Sequence, residues 1–557
     1  MEWIIIGGVI LVILIVYTIY NRRSRDSKIR AKLEKAWGEV PSFSYTEEKR
    51  KSLKFYYEKK ASKPETDVDD ITWHDLDMDQ IYMTVNNTAS SVGDEYMYAM
   101  LRSPSFDLDE LKERDRVAKF FAKNREARLD VQTELYKLGK TKNISIYEYM
   151  HRLENIPYED NLVHIIKILL FFAGIALCFI YPVIGIIATI VIAGANVFTY
   201  FNRKKEIEPY LNIISFIMRW IDCSKKISSL DIKDIEEYRE RLKKSVSSFK
   251  SFRAGAAIIA PANPNGDLLQ MILDYLRMLF HIDLLKFNSM LKAFAKKNAE
   301  FDDMFAVVGF LDSAISIASF REMMSDYSIP ELEKSDKPFI DAEELYHPMI
   351  NDPVTNSIKE SGCALITGSN ASGKSTFIRT IAINAILAQT VYTVMAYRYN
   401  ASFFRVASSM ALSDSLLEGE SYYIVEIKSL KRLMDGIRED VPSLIFVDEV
   451  LRGTNTLERI AASSRILYSF AGKNVMCFAA THDIELTYIL EEHFSNYHFE
   501  EKVENNNVTF DYELHEGRAV TRNAIKLLKM LGYSDKIIDS AYAAADNFLK
   551  NGEWDRI

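Results

Sequence analysis

The sequence predicts a chain in two parts: an all-α domain interrupted by apolar spans, then an α/β domain built on a buried sheet. Three observations carry this expectation. Up to about residue 340, apolar residues recur at three- and four-residue spacings with charges between them, as in 108–138 and 267–301. Beyond that point, short apolar runs alternate with Gly- or charge-rich turns. Two stretches, 3–20 and 168–202, contain no charged residue at all.

Composition bounds the rest. The chain has 557 residues, 48% hydrophobic and 26% charged, which are ordinary globular values and exclude wholesale disorder. A formal net charge of −9 and a pI near 5.7 exclude a surface coated in positive charge for nonspecific nucleic-acid binding, so any DNA contact has to be local. Cys178, Cys223, Cys363 and Cys477 lie too far apart for a CxxC metal knuckle or a secreted disulfide framework, a pattern that suits a reducing compartment.

The first apolar stretch, about 18 residues, is just long enough for a hydrocarbon core of roughly 30 Å. Glu2 precedes it and Arg22, Arg23 and Arg25 follow, the reverse of a cleavable leader, so it reads as an anchor with its N-terminus outside; a buried core helix is the other reading. The second stretch, about 35 residues, suits two short spans turning at Tyr181-Pro182. Lys167 before it and Arg203, Lys204 and Lys205 after it hold both ends on the cytoplasmic side, which predicts a helical hairpin in a multi-pass protein of the cell membrane; one long tilted or re-entrant helix is the other reading. The basic run 48–60 reads either as a solvated helix face or as a contact to lipid headgroups or nucleic acid, and the run 239–253 either as a solvated helix or as a DNA contact.

Chemistry concentrates in the second part. A short strand at 364–367 leads into Gly368, Ser369, Asn370, Ala371, Ser372, Gly373, Lys374 and Ser375, and Thr376 begins a helical pattern. Strand, glycine-rich loop and helix in that order form a phosphate cradle of backbone N–H groups; Lys374 reaches the β- and γ-phosphates of ATP, and the Ser375 hydroxyl ligates Mg²⁺. A second strand at 444–447 ends in Asp448, suited to holding Mg²⁺ through water, and Glu449, suited to orienting or deprotonating the attacking water. A third strand at 475–480 delivers Thr481-His482, which places His482 to sense the γ-phosphate, where a purely structural histidine is the alternative.

The runs at 367–380 (TGSNASGKSTFIRT), 414–427 (DSLLEGESYYIVEI), 448–460 (DEVLRGTNTLERI) and 480–486 (ATHDIEL), in this order, resemble the MutS-type ATPase of the ABC superfamily. Upstream, 73–104 is similar to the start of the MutS lever core and 301–320 to the helix that returns the lever to the ATPase, so the resemblance covers about 67–545. It implies an ABC-type P-loop ATPase preceded by a lever-like domain. It also implies a homodimer with composite ATP sites, in which Ser421 of one subunit caps the γ-phosphate bound by the other, with 452–454 at the same interface and 517–542 as a closing helical segment that helps dimerise. The sequence departs from the family pattern where Ala371-Ser372 replaces Met-Gly, where Leu451 stands in place of a common glycine, and over 455–458. No Phe-x-Glu mismatch-reading motif is evident before the lever start.

The expected organisation is a transmembrane anchor at 1–21, a juxtamembrane linker at 22–66, a first helical core segment at 67–161, a transmembrane hairpin at 162–202, a second lever segment at 203–335 and the ATPase with its dimerisation segment at 336–557. Two functions fit. In one, a membrane-tethered ATPase opens and closes on DNA, including mismatched or structured DNA; in the other, the same engine has left DNA and remodels a membrane or a protein partner.

Overall fold

The computed structural model describes residues 23–41, 45–60, 65–154, 160–249, 275–294, 297–324, 326–335, 337–369, 372–410, 422–452, 454–504, 507–519 and 532–552, with isolated positions 17, 20, 21, 525, 528 and 554. The apolar stretch 3–20 therefore falls almost wholly outside the described residues. The chain forms two compact units interleaved in sequence. One comprises 1–60, 85–99 and 116–323, the other 61–84, 100–115 and 324–557, so the expected 67–161 segment is divided between them.

The first unit is helical. Its core gathers Tyr56, Tyr147, Trp220, Phe301 and Phe305, with Trp220 lying 5.8 Å from both Phe301 and Phe305 between ring centroids. The helix Asn298–Met323 is apolar enough to cross a membrane, yet 83% of its most apolar 18 residues are buried inside the protein, which explains apolar residues on all its sides. Asp312 on this helix accepts hydrogen bonds from the backbone N–H groups of Ala89 and Ser90, both at 2.9 Å, and from the Ser90 hydroxyl at 2.6 Å, pinning that loop to the core. Residues 108–138 form two helices, Leu108–Lys123 and Arg125–Leu138, because Asn124 leaves the helical conformation between them.

The apolar run 168–202 forms a helical hairpin, Asn161–Cys178 and Pro182–Ser229, turning at Tyr181 with Pro182 at the start of the second helix. Proline suits that first turn because its missing N–H would be unpaired there anyway. Asn161–Cys178 and Pro182–Ile207 are long and apolar enough to cross a membrane, and each is only 17% buried. The second helix does not stop at the basic residues 203–205; it runs on to Ser229 and supplies Trp220 to the core.

The second unit contains two sheets. Strands β1 (Glu331–Glu333), β2 (Ile340–Leu345), β3 (Asn356–Glu360) and β5 (Arg398–Ser402) form a mixed sheet in the order β1-β5-β2-β3. Strands β4 (Cys363–Thr367), β6 (Arg405–Ser409), β7 (Ser443–Asp448), β8 (Val475–Thr481), β9 (Phe494–Glu504) and β10 (Asn507–Glu516) form the larger one, in the order β10-β9-β4-β8-β7-β6. Strands β9, β4, β8, β7 and β6 are parallel and β10 is antiparallel to β9. Every residue of β4 and β8 is buried, as continuous apolar strands of a covered parallel sheet require. The edge at β6 is covered by the helix Asp70–Asp75: Ser408 donates to Asp75 through its hydroxyl (2.7 Å) and to the Thr72 hydroxyl through its N–H (3.0 Å).

Candidate nucleotide site

Parallel strands present their C-terminal ends on one side of a sheet, where loops can converge. Here β4, β8 and β7 are neighbours, with Thr367 paired to Thr481 and Asp448 to Ala480. That register brings the glycine-rich loop, His482 and the Asp448-Glu449 pair to one edge, although they lie far apart in sequence.

The loop after β4 turns back on itself. Gly368 has φ +144° and Gly373 has φ +106°, backbone that a side chain would strain, and a Cβ on Gly368 would lie 2.9 Å from the Phe499 carbonyl oxygen. The Ser372 hydroxyl donates to the Ser369 carbonyl at 2.8 Å. From Lys374 the chain enters the helix Lys374–Thr390. Lys374 is buried, and its ammonium donates to the carbonyls of Gly368 (2.6 Å) and Ser369 (2.8 Å). Burial lowers its pKa to about 8, against the opposing pull of Asp448 and Glu449. Asn370 and Ala371 lie outside the described residues.

Asp448 ends β7 beside the Ser375 hydroxyl. Burial raises its pKa, while Ser375 and Lys374 counteract the rise, and its Oδ1 is buried without a hydrogen-bond partner. A buried carboxylate oxygen left open beside a serine hydroxyl is the donor set a hard divalent cation takes. Glu449 follows in the left-handed region at φ 55°, its N–H donating to the Ala480 carbonyl at 2.9 Å. Its side chain is held on both oxygens: His482 Nε2 lies 2.8 Å from Oε1 and Arg452 Nε lies 2.7 Å from Oε2. Burial and the nearby Lys374 lower the pKa of His482, so near neutral pH it carries one ring proton, which this contact assigns to Nε2. The turn bearing His482 is braced by Arg459, which donates to both oxygens of Asp483 at 2.9 and 2.7 Å.

Beside the loop lies a cleft of about 400 Å³, lined among others by His347, Ile350, Val354, Ser375, Phe377 and Tyr512. Sequence reasoning missed this cleft because its walls come from loops, a helix and a charged hairpin that no single motif links. It also missed Arg452 as a partner of Glu449; the three-residue spacing was the available signal. Ser421 and Gly453 lie outside the described residues, as does most of 517–531, whereas the helix Asp535–Asn551 begins inside the expected closing segment 517–542 and runs past its end.

Residues 364–549 match the family model described as MutS domain V. That part of the chain is similar to the ATPase domain of MutS proteins. Among its relatives, the DNA mismatch repair protein MutS of Natronomonas pharaonis is 31% identical over 223 residues, covering 37% of this chain and 26% of that protein. MutS of Thermotoga maritima is 28% identical over 249 residues, covering 43% and 31% respectively. MutS of Clostridium perfringens is 31% identical over 252 residues, covering 42% and 27%. The chain thus matches between a quarter and a third of the length of these MutS proteins.

Proposed function

We propose that this protein is a membrane-attached MutS-family ATPase in which Mg²⁺-dependent ATP hydrolysis opens and closes a homodimer on DNA. The observation that carries the ATPase reading is the convergence at one sheet edge of Lys374, the Ser375–Asp448 pair and the Glu449–His482 pair. Backbone N–H groups of residues 368–376 and the start of the Lys374–Thr390 helix face the phosphates, and Lys374 turns from its loop carbonyls to the β- and γ-oxygens. Ser375 and Asp448 would hold Mg²⁺, which supplies charge neutralisation at the phosphates. Glu449 orients the attacking water, and His482 keeps that carboxylate aligned and meets the γ-phosphate. The neighbouring cleft takes the nucleoside. Ser421 of the facing subunit completes the site in the dimer.

The DNA part of the reading comes from the relatives' names, which are those of DNA mismatch repair proteins. It is tested by DNA binding at increasing salt. A steep linear fall of log affinity against log salt is expected, since phosphate contacts release counterions. Absence of binding at low salt, with and without ATP, would replace DNA with a membrane or protein partner.

The membrane part is supported by the apolar, largely unburied hairpin. In the proposed topology its turn near Tyr181 is outside and both its ends are cytoplasmic, held by Lys167 and by Arg203, Lys204 and Lys205. A topology reporter fused after Lys205 should therefore report the cytoplasm. Activity on the outer side at that point would refute the hairpin and put the nucleotide site away from ATP.

A further inference from the structure

The turn that follows β7 is unusual in its backbone. Glu449 (φ 55°) and Leu451 (φ 58°) both occupy the left-handed region, and neither is glycine. Such residues are strained and persist only where the surroundings over-determine them. Several contacts hold this turn: the Ser463 hydroxyl donates to the Val450 carbonyl at 3.2 Å and the Thr454 hydroxyl to the Leu451 carbonyl at 2.9 Å. Those contacts satisfy carbonyls. The N–H groups of Leu451 and Arg452 are turned out of the β-ladder and need an acceptor.

That acceptor is Glu426. Its Oε1 accepts the Leu451 N–H, and the Arg452 N–H lies close enough to favour the charged carboxylate. Glu426 is 4% exposed and lies on the helix Tyr422–Asp435, within the 414–427 run that resembles the family. Near its other end the same helix is fixed by Arg432, which donates to Asp69 and to the Ser408 carbonyl. A buried carboxylate from one element thus closes the strained turn of another, and that turn aims Glu449 and carries Arg452, the second partner of the Glu449 carboxylate.

We infer that Glu426 is a positioning residue that locks the 449–452 turn and so fixes the water-orienting Glu449, coupling the Tyr422–Asp435 helix to the hydrolytic end of the site. This rests on the role proposed above for Glu449. Glu426 is not among the residues proposed above to contact the nucleotide or the attacking water. Its role is that of an acceptor, and one oxygen suffices, because Oε2 is buried without a hydrogen-bond partner. Glutamine, which keeps one carbonyl oxygen, should therefore replace it, and alanine should not.

The test compares Glu426→Ala and Glu426→Gln in the full-length protein. Amide hydrogen exchange followed by mass spectrometry should show the Leu451 and Arg452 amides exchanging at least about tenfold faster in Glu426→Ala, with β7 and β8 unchanged; this assay requires no turnover. Steady-state kinetics should show kcat reduced by about 10- to 100-fold in Glu426→Ala with the KM for ATP within about threefold, as expected when transition-state alignment is lost and substrate binding is kept. Glu426→Gln should stay near wild type in both assays. Unchanged exchange at 451–452 in Glu426→Ala overturns the inference, as does equal impairment of both variants or a parallel loss of nucleotide affinity. A wild-type protein without ATP turnover would instead defeat the ATPase reading, and the exchange comparison would still decide whether Glu426 locks the turn.

Discussion

Glu449→Gln protein should bind ATP with Mg²⁺ about as well as the wild type and hydrolyse it at least about 100-fold more slowly, the usual span for loss of a general base. That factor corresponds to about 2.7 kcal/mol of barrier. The expectation follows from how the site divides its work. The groups assigned to phosphate and metal, Lys374, Ser375 and Asp448, have contacts that do not pass through the Glu449 side chain. The Glu449 carboxylate instead accepts from His482 on one oxygen and Arg452 on the other. Glutamine keeps one acceptor but turns an NH₂ group toward a donor on the other side, so it loses both basicity and one of the two restraints. Binding measured with labelled ATP, alongside single-turnover hydrolysis, separates the two effects. Unchanged turnover would remove Glu449 from its role, and lost binding would show that the turn supports the phosphate site itself.

How much of this arrangement is legible in sequence depends on the range over which each contact acts. The glycine-rich loop, the Asp448-Glu449 pair and Thr481-His482 are visible because each sits at the end of a short, wholly apolar strand, and such strands are buried on both faces. The hairpin at 161–229 is visible for a similar reason, since a long uncharged run with a central Tyr-Pro has few alternatives. The mixed sheet is not visible. Strand β1 has three residues, and β2, IDAEEL, breaks its burial alternation at a bulge, so neither shows a clean two-residue period. The β9–β10 hairpin hides behind its charges, because it sits at the sheet edge and much of it faces water. The segment around Trp73 reads as the start of the helical domain, yet Thr72 and Asp75 hydrogen-bond to Ser408, more than 300 positions away. No periodicity reports a polar contact of that range. The same applies to Glu426 and Leu451, where a carboxylate in a helical pattern looks like any solvent-facing residue until the fold buries it.

Lys374→Met protein should lose ATP binding by at least about 100-fold, and without nucleotide it should be more stable than the wild type at neutral pH. The first effect follows from removing the one ammonium assigned to the phosphates, and it should abolish the rise in melting temperature that ATP gives the wild type, since that rise tracks ligand saturation. The second follows from the environment of the lysine. The residue is 1% exposed and its amine carries a pKa lowered from 10.5 to about 8, mainly by burial. For a base with a depressed pKa, the folded state binds fewer protons than the unfolded state between about 8 and 10.5, so stability rises with pH across that window. Above 10.5 the lysine is neutral in both states and its charge costs nothing; below about 8 the full cost is present, at most about 3 kcal/mol. The carbonyls of Gly368 and Ser369 offset part of the loss of hydration. Methionine keeps the stem's volume and carries no charge, so the stability difference between variant and wild type should be largest at pH 7 and shrink as pH approaches 10.5. Thermal melts of both proteins across that range, without nucleotide, measure it. A difference that is constant with pH, or a variant less stable than the wild type at pH 7, would mean that the lysine is not held at a cost in the empty loop. In that case phosphate would not be relieving a buried charge when it binds.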